Sequence, residues 1–187
     1  MPAPDYPIVT ERLTIRPLDP ATDVDAVHAY QSRADVVRYI PYGVRTRDEV
    51  AENLASPRNR SRLDSSGLAL TLAIVRRDTD ELIGDLMLAW TSEQHRSGEL
   101  GYVLHPDHTG HGFVTEACRA VLDWAFAPDG LDLHRVVGRI DERNDASARV
   151  LRRLGMRQEA RLVENEWFKG EWTTEQDFAI LAAEWRR

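Results

Sequence analysis

A mixed α/β domain is the architecture this chain encodes, and three features of the sequence point to it. Early on, apolar residues alternate with a period of two in several short segments, the pattern of strands. Later the period switches back and forth between two and 3.6, giving strand–helix–strand–helix. Between these regions an apolar strand, Glu99 to Leu104, runs through a loop with Gly110 and Gly112 into an amphipathic helix. With no internal repeat and no dividing linker, residues 1–187 form one domain, long enough to bury a sizeable core.

Arg12 to Leu18 alternates and opens the chain as a strand stopped near Pro17. Asp23 to Gln31 spaces Val24, Val27, His28 and Tyr30 as a helix does, with Asp23 as N-cap. A short helix over Ala34 to Tyr39 follows. Thr46-Arg47-Asp48-Glu49 is a capping box that starts a helix reaching Ala55. Ser56 to Ser66 is polar and reads as a mobile loop. Leu68 to Val75 alternates as a half-buried strand, and Asp78 to Glu81 turns it into Leu82 to Trp90 as a hairpin.

Glu99 to Leu104 is the strand that feeds the glycine loop. The helix from Thr115 to Phe126 buries Cys118, Val121, Leu122 and Ala125, and Pro128-Asp129-Gly130 ends it. His134 to Ile140 is the next strand. Asp145 to Leu154 is a helix turning Val150, Leu151 and Leu154 inward, with Gly155 at C′. Arg161 to Val163 and Phe178 to Leu181 finish as strands, joined through an aromatic, charged loop over Glu166 to Trp172.

Composition narrows the function. Apolar residues make up 42% and charged residues 29%, as in a soluble globular protein. No apolar run approaches 18 residues, so no membrane span is expected. The opening stretch Met1 to Pro7 has no basic block or apolar core, so no secretory signal is expected either. A single cysteine, Cys118, rules out an intrachain disulfide framework and suits a reducing cytoplasm. The formal charge of −7 argues against a nucleic-acid partner and favours a cationic one, though it also serves solubility.

The glycine loop carries the chemistry. A helix start leaves backbone N–H groups unpaired and partly positive, a setting that suits phosphate. Gly110 and Gly112 allow close backbone approach or a positive φ, although the same unit also serves as a plain tight turn. The Walker pattern fails because Phe113 and Val114 follow Gly112. The dinucleotide pattern fails because Thr115 stands where its third glycine belongs.

Thr109-Gly110-His111-Gly112-Phe113-Val114 resembles the acyl-CoA loop of the GNAT N-acetyltransferase superfamily, Gln/Arg-x-x-Gly-x-Gly/Ala. Gly110-His111-Gly112-Phe113-Val114-Thr115-Glu116-Ala117 is closest to the ribosomal-protein N-acetyltransferase-like branch. Thr109 replaces a long polar residue there, and Val114 a small one. Three further stretches resemble that branch in order: Thr10-Glu11-Arg12-Leu13-x-Ile15-Arg16, Asn144-x-x-Ser147-x-x-Val150-Leu151-x-x-Leu154-Gly155-Met156, and Asp177-x-x-Ile180-Leu181-x-x-Glu184-Trp185. The resemblance runs from Thr10 to Trp185. It implies a central, mostly antiparallel twisted sheet of about seven strands flanked by helices.

It also implies acetyl transfer from acetyl-CoA to a primary amine by direct attack in a ternary complex, with no metal. Tyr102, Val103 and Leu104 would pair with the pantetheine as a neighbouring strand, a Val103 N–H facing the thioester oxygen. Thr109, Gly110, His111, Gly112, Phe113, Val114 and Thr115 would hold the diphosphate, and Asn144 and Ser147 the far side of the arm. The acceptor would be a protein N-terminal amine or an amine-bearing metabolite or antibiotic, and homodimers are common in the branch. Two other readings are a different donor such as succinyl-CoA, and a CoA-binding regulatory module without catalysis.

An amine attacks only when neutral, so a proton acceptor is needed, and the departing thiolate needs a proton. Glu99, at the outer end of its strand, is the favoured base, unless it only balances Arg96. Asp85, Glu159 and His95 are the other candidates. The tyrosine that many GNAT enzymes use as acid falls at Leu151, so Ser147, one turn earlier, takes that role or a capping and cofactor-contact role. His105, His108 and His111 share a spacing, but Pro106 and Gly110 make the segment a loop and only Asp107 is near, so no metal is expected. Cys118 reads as a packed residue rather than a nucleophile. Trp90, Trp167, Phe168 and Trp172 line an acceptor cleft or pack in a core or interface.

Overall fold

The computed structural model describes residues 3–185, so Met1 and Pro2 of the opening stretch lie outside it. The strands are β1 (Ile8–Val9), β2 (Leu13–Pro17), β3 (Leu68–Arg76), β4 (Leu82–Ser92), β5 (Ser97–Leu104), β6 (Arg135–Asp141), β7 (Arg157–Phe168) and β8 (Glu171–Leu181). The helices are α1 (Val24–Gln31), α2 (Arg47–Ala55), α3 (Phe113–Phe126), α4 (Asp145–Arg153) and the short α5 (Ala182–Trp185). One sheet runs in the order β1-β2-β3-β4-β5-β6-β8-β7. Every neighbouring pair is antiparallel except β5 and β6. This is the expected mixed α/β architecture with one more strand. The extra strand β1 has two residues, too few for alternation to register in the sequence.

Helices cover both faces of the sheet. On one face, Leu70, Leu72, Ile74, Leu86, Leu88 and Leu100 meet Phe113, Ala117, Cys118, Val121 and Leu122 of α3 and Leu151 of α4. On the other, Ala73 and Val75 meet Val27 and Tyr30 of α1 and Val50 and Leu54 of α2. Since strand side chains alternate between faces, β3 is buried on both sides over Leu72–Val75 rather than half-buried. That double cover fixes the register and rules out a one-residue slip.

Local signals hold with instructive exceptions. The Thr46 capping box forms as expected: Glu49 N–H donates to Thr46 Oγ1 at 3.3 Å, and Thr46 N–H donates to Glu49 Oε2 at 2.8 Å. Gly155 takes φ +84° after α4, as a C′ glycine does. Asp23 is not a side-chain cap. Its carboxylate instead pairs with Arg16 (Nη1–Oδ2 2.6 Å) and accepts the Asp19 N–H at 2.7 Å. Of the helix expected over Ala34 to Tyr39, only one 3-10 turn, Val37–Tyr39, forms.

Ser56 to Ser66 has neither helix nor strand, yet it is anchored rather than loose. Leu63 is fully buried, the Asn59 amide donates to Leu54 O at 2.9 Å, and Tyr6 donates to Ser61 O at 3.1 Å. The loop expected over Glu166 to Trp172 is the end of a long hairpin, turned by Lys169 and Gly170, both at positive φ. β7 shows no clean alternation because nearly all of it is exposed on the sheet edge.

Candidate active site

The parallel pair β5–β6 is joined over only three residues, Ser97↔Arg135, Gly98↔Val136 and Glu99↔Val137. Beyond that the strands part, β5 running on to Leu104 and β6 to Asp141. A cavity of about 400 Å³ occupies the wedge, lined by Leu100, Gly101, Tyr102 and Val103 on one side and Gly138, Arg139, Ile140 and Asp141 on the other. Asn144, Ser147 and Leu151 of α4 close it from one face; Tyr39 to Tyr42, Arg45 and Leu54 close it from the other. Leu100 packs toward α3 and Val103 toward α1 and α2, so the cavity passes through the sheet. The β5–β6 register ends at Glu99↔Val137, and past Leu100 the β5 backbone groups on that edge, those of Tyr102 and Leu104, have no ladder partner among the described residues and are open to an extended ligand.

After β5 comes the glycine loop. Gly110 has φ +83° and Gly112, the N-cap of α3, φ +80°, a region that non-glycine residues enter at a cost. Among the described residues no protein acceptor lies on the N–H groups of residues 110–115; the first turn of α3 closes with Glu116 N–H to Gly112 O at 3.0 Å. The Thr115 hydroxyl is buried and has no hydrogen-bond partner. Arg119 and Arg153 flank Gly112 and Thr115 around an open depression. Open amides and the helix dipole suit an anion here, with Glu11 and Glu116 sharing the depression with the two guanidinium groups.

The carboxylates differ sharply. Glu99 lines the cavity and pairs with Arg139 (Oε2–Nη1 2.5 Å), whereas Arg96 is held by Asp132. Asp85 also lines the cavity and accepts the Tyr30 hydroxyl at 2.6 Å. Burial pushes Asp85 up to about 6, against the opposing pull of Tyr30, Arg45 and Gln31. The Tyr30 phenol is held far above its ordinary value by burial and by the Asp85 charge, so it stays a donor. Glu159 is bound by Arg135 and Arg157, and His95 sits in the β4–β5 turn; neither lines the cavity between β5 and β6.

Residues 12–157 match the family model described as acetyltransferase (GNAT) domain. The chain belongs to the GNAT acetyltransferase family. It is 32% identical to the N-acetyltransferase YnaD of Bacillus subtilis, over 95% of this chain and 98% of that one. The spermidine N(1)-acetyltransferase of Escherichia coli K12 is 26% identical over 84% of this chain and 80% of its own. Among solved structures, a GNAT-family acetyltransferase from Bacillus anthracis superposes with a TM-score of 0.81 at 28% identity, covering 94% of this chain and 98% of that one. The protein is an acetyl-CoA-dependent acyltransferase that moves an acetyl group to an amine.

Within this acetyltransferase the expected site residues fall into three groups. Glu99, Tyr102, Val103, Asn144 and Ser147 come together around the cavity. Asn144 Oδ1 caps α4 by accepting the Ser147 N–H at 3.1 Å, and Tyr102 donates to Ser147 O at 3.1 Å. Thr109, Gly110, His111, Gly112, Phe113, Val114 and Thr115 lie outside the cavity lining, on the loop where its β5 wall continues. Leu104 does not line the cavity either. No cluster able to hold a metal occurs among the described residues: His108 pairs with Glu81, and His105 Nδ1 accepts the Asp107 N–H. Cys118 is fully buried, and burial pushes its thiol up.

Of the aromatics, Phe168 lines a smaller cavity of about 230 Å³ that shares Tyr39, Glu99 and Arg139 with the main one. Trp167 and Trp172 instead pack edge-on across the hairpin at 5.4 Å and remain exposed, and Trp90 packs against the core. Sequence reasoning missed Tyr30, Tyr42, Arg45 and Arg139. Arg139 sits on a strand where only register with β5 reveals its partner. Tyr30 read as one more apolar position of a helix.

Proposed function

We propose that the enzyme binds acetyl-CoA along the free edge of β5 and takes its amine from the α1–α2 face. The observation that carries this reading is the continuity of two unpaired backbone surfaces, the β5 edge from Leu100 and the N–H groups of residues 110–115. An extended pantetheine arm followed by a diphosphate fits that order of donors and acceptors. Arg119 and Arg153 add donors at the phosphate end. Tyr102, Val103 and Leu104 provide the strand edge, and Asn144 and Ser147 flank it from α4.

The thioester supplies an activated acetyl group, and the protein supplies position and proton movement. A backbone N–H on the open edge of β5, that of Tyr102 or Leu104, takes the carbonyl oxygen as negative charge develops there; the Val103 N–H expected for this faces Asp85 in the β4 ladder, in register with His105 N–H to Ile83 O. Glu99 accepts the proton of the attacking amine, directly or through one water, with Arg139 fixing its orientation. The Ser147 hydroxyl gives a proton to the departing sulfur. Donor and acceptor are held together, so the amine nitrogen bonds to the carbonyl carbon as the carbon–sulfur bond breaks, with no acyl-enzyme.

The acceptor is a primary amine of a small molecule or of a protein N-terminus, in a cytoplasmic setting. A second copy of the chain would meet this one at the β7 edge, where Val163, Trp167 and Trp172 are exposed. Calorimetric titration with acetyl-CoA, followed by thiol release against a panel of amines, tests the reading. Saturable binding with thiol release supports it; binding without release would mark a regulatory module, and no binding at millimolar ligand would end it.

A further inference from the structure

Building on the amine-acetylation reading, we infer that Asp85 forms a second acceptor subsite that takes a positive charge, so that extended diamines are preferred over monoamines. The register of β4 and β5 places it. Asp85 opposes Val103, Met87 opposes Gly101, and Ala89 opposes Glu99. Residues directly opposed on antiparallel strands share a face, so Asp85 and Glu99 both look toward α1 and α2, with Met87 and Gly101 as the floor between them. They stand four residues apart along β5, ~13 Å at ~3.3 Å per residue. Both line the same cavity.

Their partners set them apart. Glu99 has Arg139, just as Asp23 has Arg16 and Asp141 has Arg143. Asp85 has only neutral partners, the Tyr30 phenol and the Gln31 side chain, and forms no ion pair among the described residues. The cation whose field reaches it, Arg45, is engaged elsewhere: it donates to Gln31 Oε1 at 2.9 Å and lies over the Tyr42 ring at 3.7 Å. Burial favours the neutral form, yet with a value of about 6 the carboxylate is mostly ionised at neutral pH. A desolvated carboxylate without a counter-charge is costly, and a cation arriving with the substrate offsets that cost. An amine reacting beside Glu99 and carrying a second ammonium along the Met87–Gly101 floor would reach Asp85. A monoamine would leave it unpaired.

The test is a ladder of α,ω-diaminoalkanes from ethane to octane, each set against the 1-aminoalkane of equal length, with thiol release from acetyl-CoA as readout. In the native enzyme the diamine of best length should exceed its monoamine in kcat/KM by at least tenfold. Asp85→Asn should cut that ratio at least tenfold. Asp85→Glu should keep the preference and move the best length, an effect that a purely structural carboxylate would not give. A ratio near one in the native enzyme, or an Asp85→Asn loss equal for both substrates, overturns the subsite. Should the variants not fold, the native ladder alone decides. If peptides are acetylated while diamines show no preference, the subsite fails and amine acetylation stands. If no amine of any kind releases thiol, both fall.

Discussion

Arg12 and Glu116, 104 residues apart, hold each other by backbone and side chain at once. Arg12 N–H donates to Glu116 Oε1 at 2.9 Å and its Nε to Oε2 at 2.7 Å, while Thr10 Oγ1 donates to Oε1 at 2.6 Å. Arg12 also donates to His111 O at 3.0 Å and lies 4.7 Å over the Phe113 ring. Thus the opening motif Thr10-Glu11-Arg12 and the helix start after Gly112 form one structure. The β1–β2 turn holds the start of α3 and the end of the glycine loop in place.

Glu116→Ala should therefore cost about 1 to 3 kcal/mol, the range for charge-assisted hydrogen bonds lost at a half-buried site. Burial raises the Glu116 carboxyl, but the bonds from Thr10 and Arg12 outweigh it and hold it below the ordinary value. Its stabilisation is thus present above the unfolded-state value and lost as pH falls through the folded one. Denaturant melts should show the variant closest to the native protein in acid and furthest from it at neutral pH. Acetyl-CoA affinity should fall along with stability.

Gly112→Val should weaken acetyl-CoA binding by at least tenfold, ~1.4 kcal/mol. The cause is conformational. A Cβ at Gly112 would meet only Arg12 Nη2, at 3.7 Å, which is ordinary contact, but φ +80° is strained for valine. The backbone would relax and turn its N–H groups. Titration calorimetry reads this, and unchanged affinity would move the phosphates elsewhere.

Asp85→Asn should stabilise the empty protein at pH 8. Its folded value of about 6 lies above the ordinary 3.8, so the folded state holds the proton more tightly than the unfolded one. Stability then falls as pH rises from about 4 to about 6, by ~3 kcal/mol at ~1.4 kcal/mol per pH unit. Asparagine can still accept the Tyr30 hydroxyl and carries no charge. Thermal melts at pH 8 and pH 4 should show the gain at the first and little at the second. A carboxylate kept at such cost points to function rather than packing.

Glu99→Gln should lower kcat by about a hundredfold or more, the scale of general base catalysis, with acetyl-CoA affinity nearly unchanged. Steady-state rates over pH 6 to 9 check it; an unaltered pH–rate profile removes Glu99 as base.

Legibility in the sequence followed the range of each signal. Thr46 with Glu49, Gly155, and the strand–loop–helix through Gly112 were readable because a few consecutive residues decide each one. Asp23 misled because a good capping residue had a stronger partner, Arg16, in the previous strand. The β7–β8 hairpin was hidden because its exposed edge strand carries no burial pattern. In the site, Asn144 and Ser147 were legible through a motif, and Glu99 through its place on the strand that feeds the glycine loop. The parting of β5 from β6, and the shared face of Asp85 and Glu99, depend on register between strands, which a linear pattern does not contain. Tyr30 and Arg139 meet the cavity carboxylates Asp85 and Glu99 only through those long-range pairings.

Lys169, the sole lysine of the chain, gives the last test. It sits at the tip of the β7–β8 hairpin, and its ammonium donates to Val37 O at 2.5 Å, at the 3-10 turn that carries Tyr39 to the cavity. Two further bonds cross nearby: Tyr39 donates to Arg143 O at 3.3 Å, and Arg143 pairs with Glu171 at 2.8 Å. Together they strap the hairpin to the α1–α2 segment beside the acceptor-side cavity. Lys169→Met keeps an unbranched stem of similar length but removes the ammonium that donates to Val37 O and lies 5.2 Å over the Phe168 ring. Acceptor KM should rise severalfold while acetyl-CoA affinity stays put, because the β5 edge and the glycine loop lie away from the strap. Equal losses in both would mean that the hairpin supports the whole sheet rather than the acceptor end.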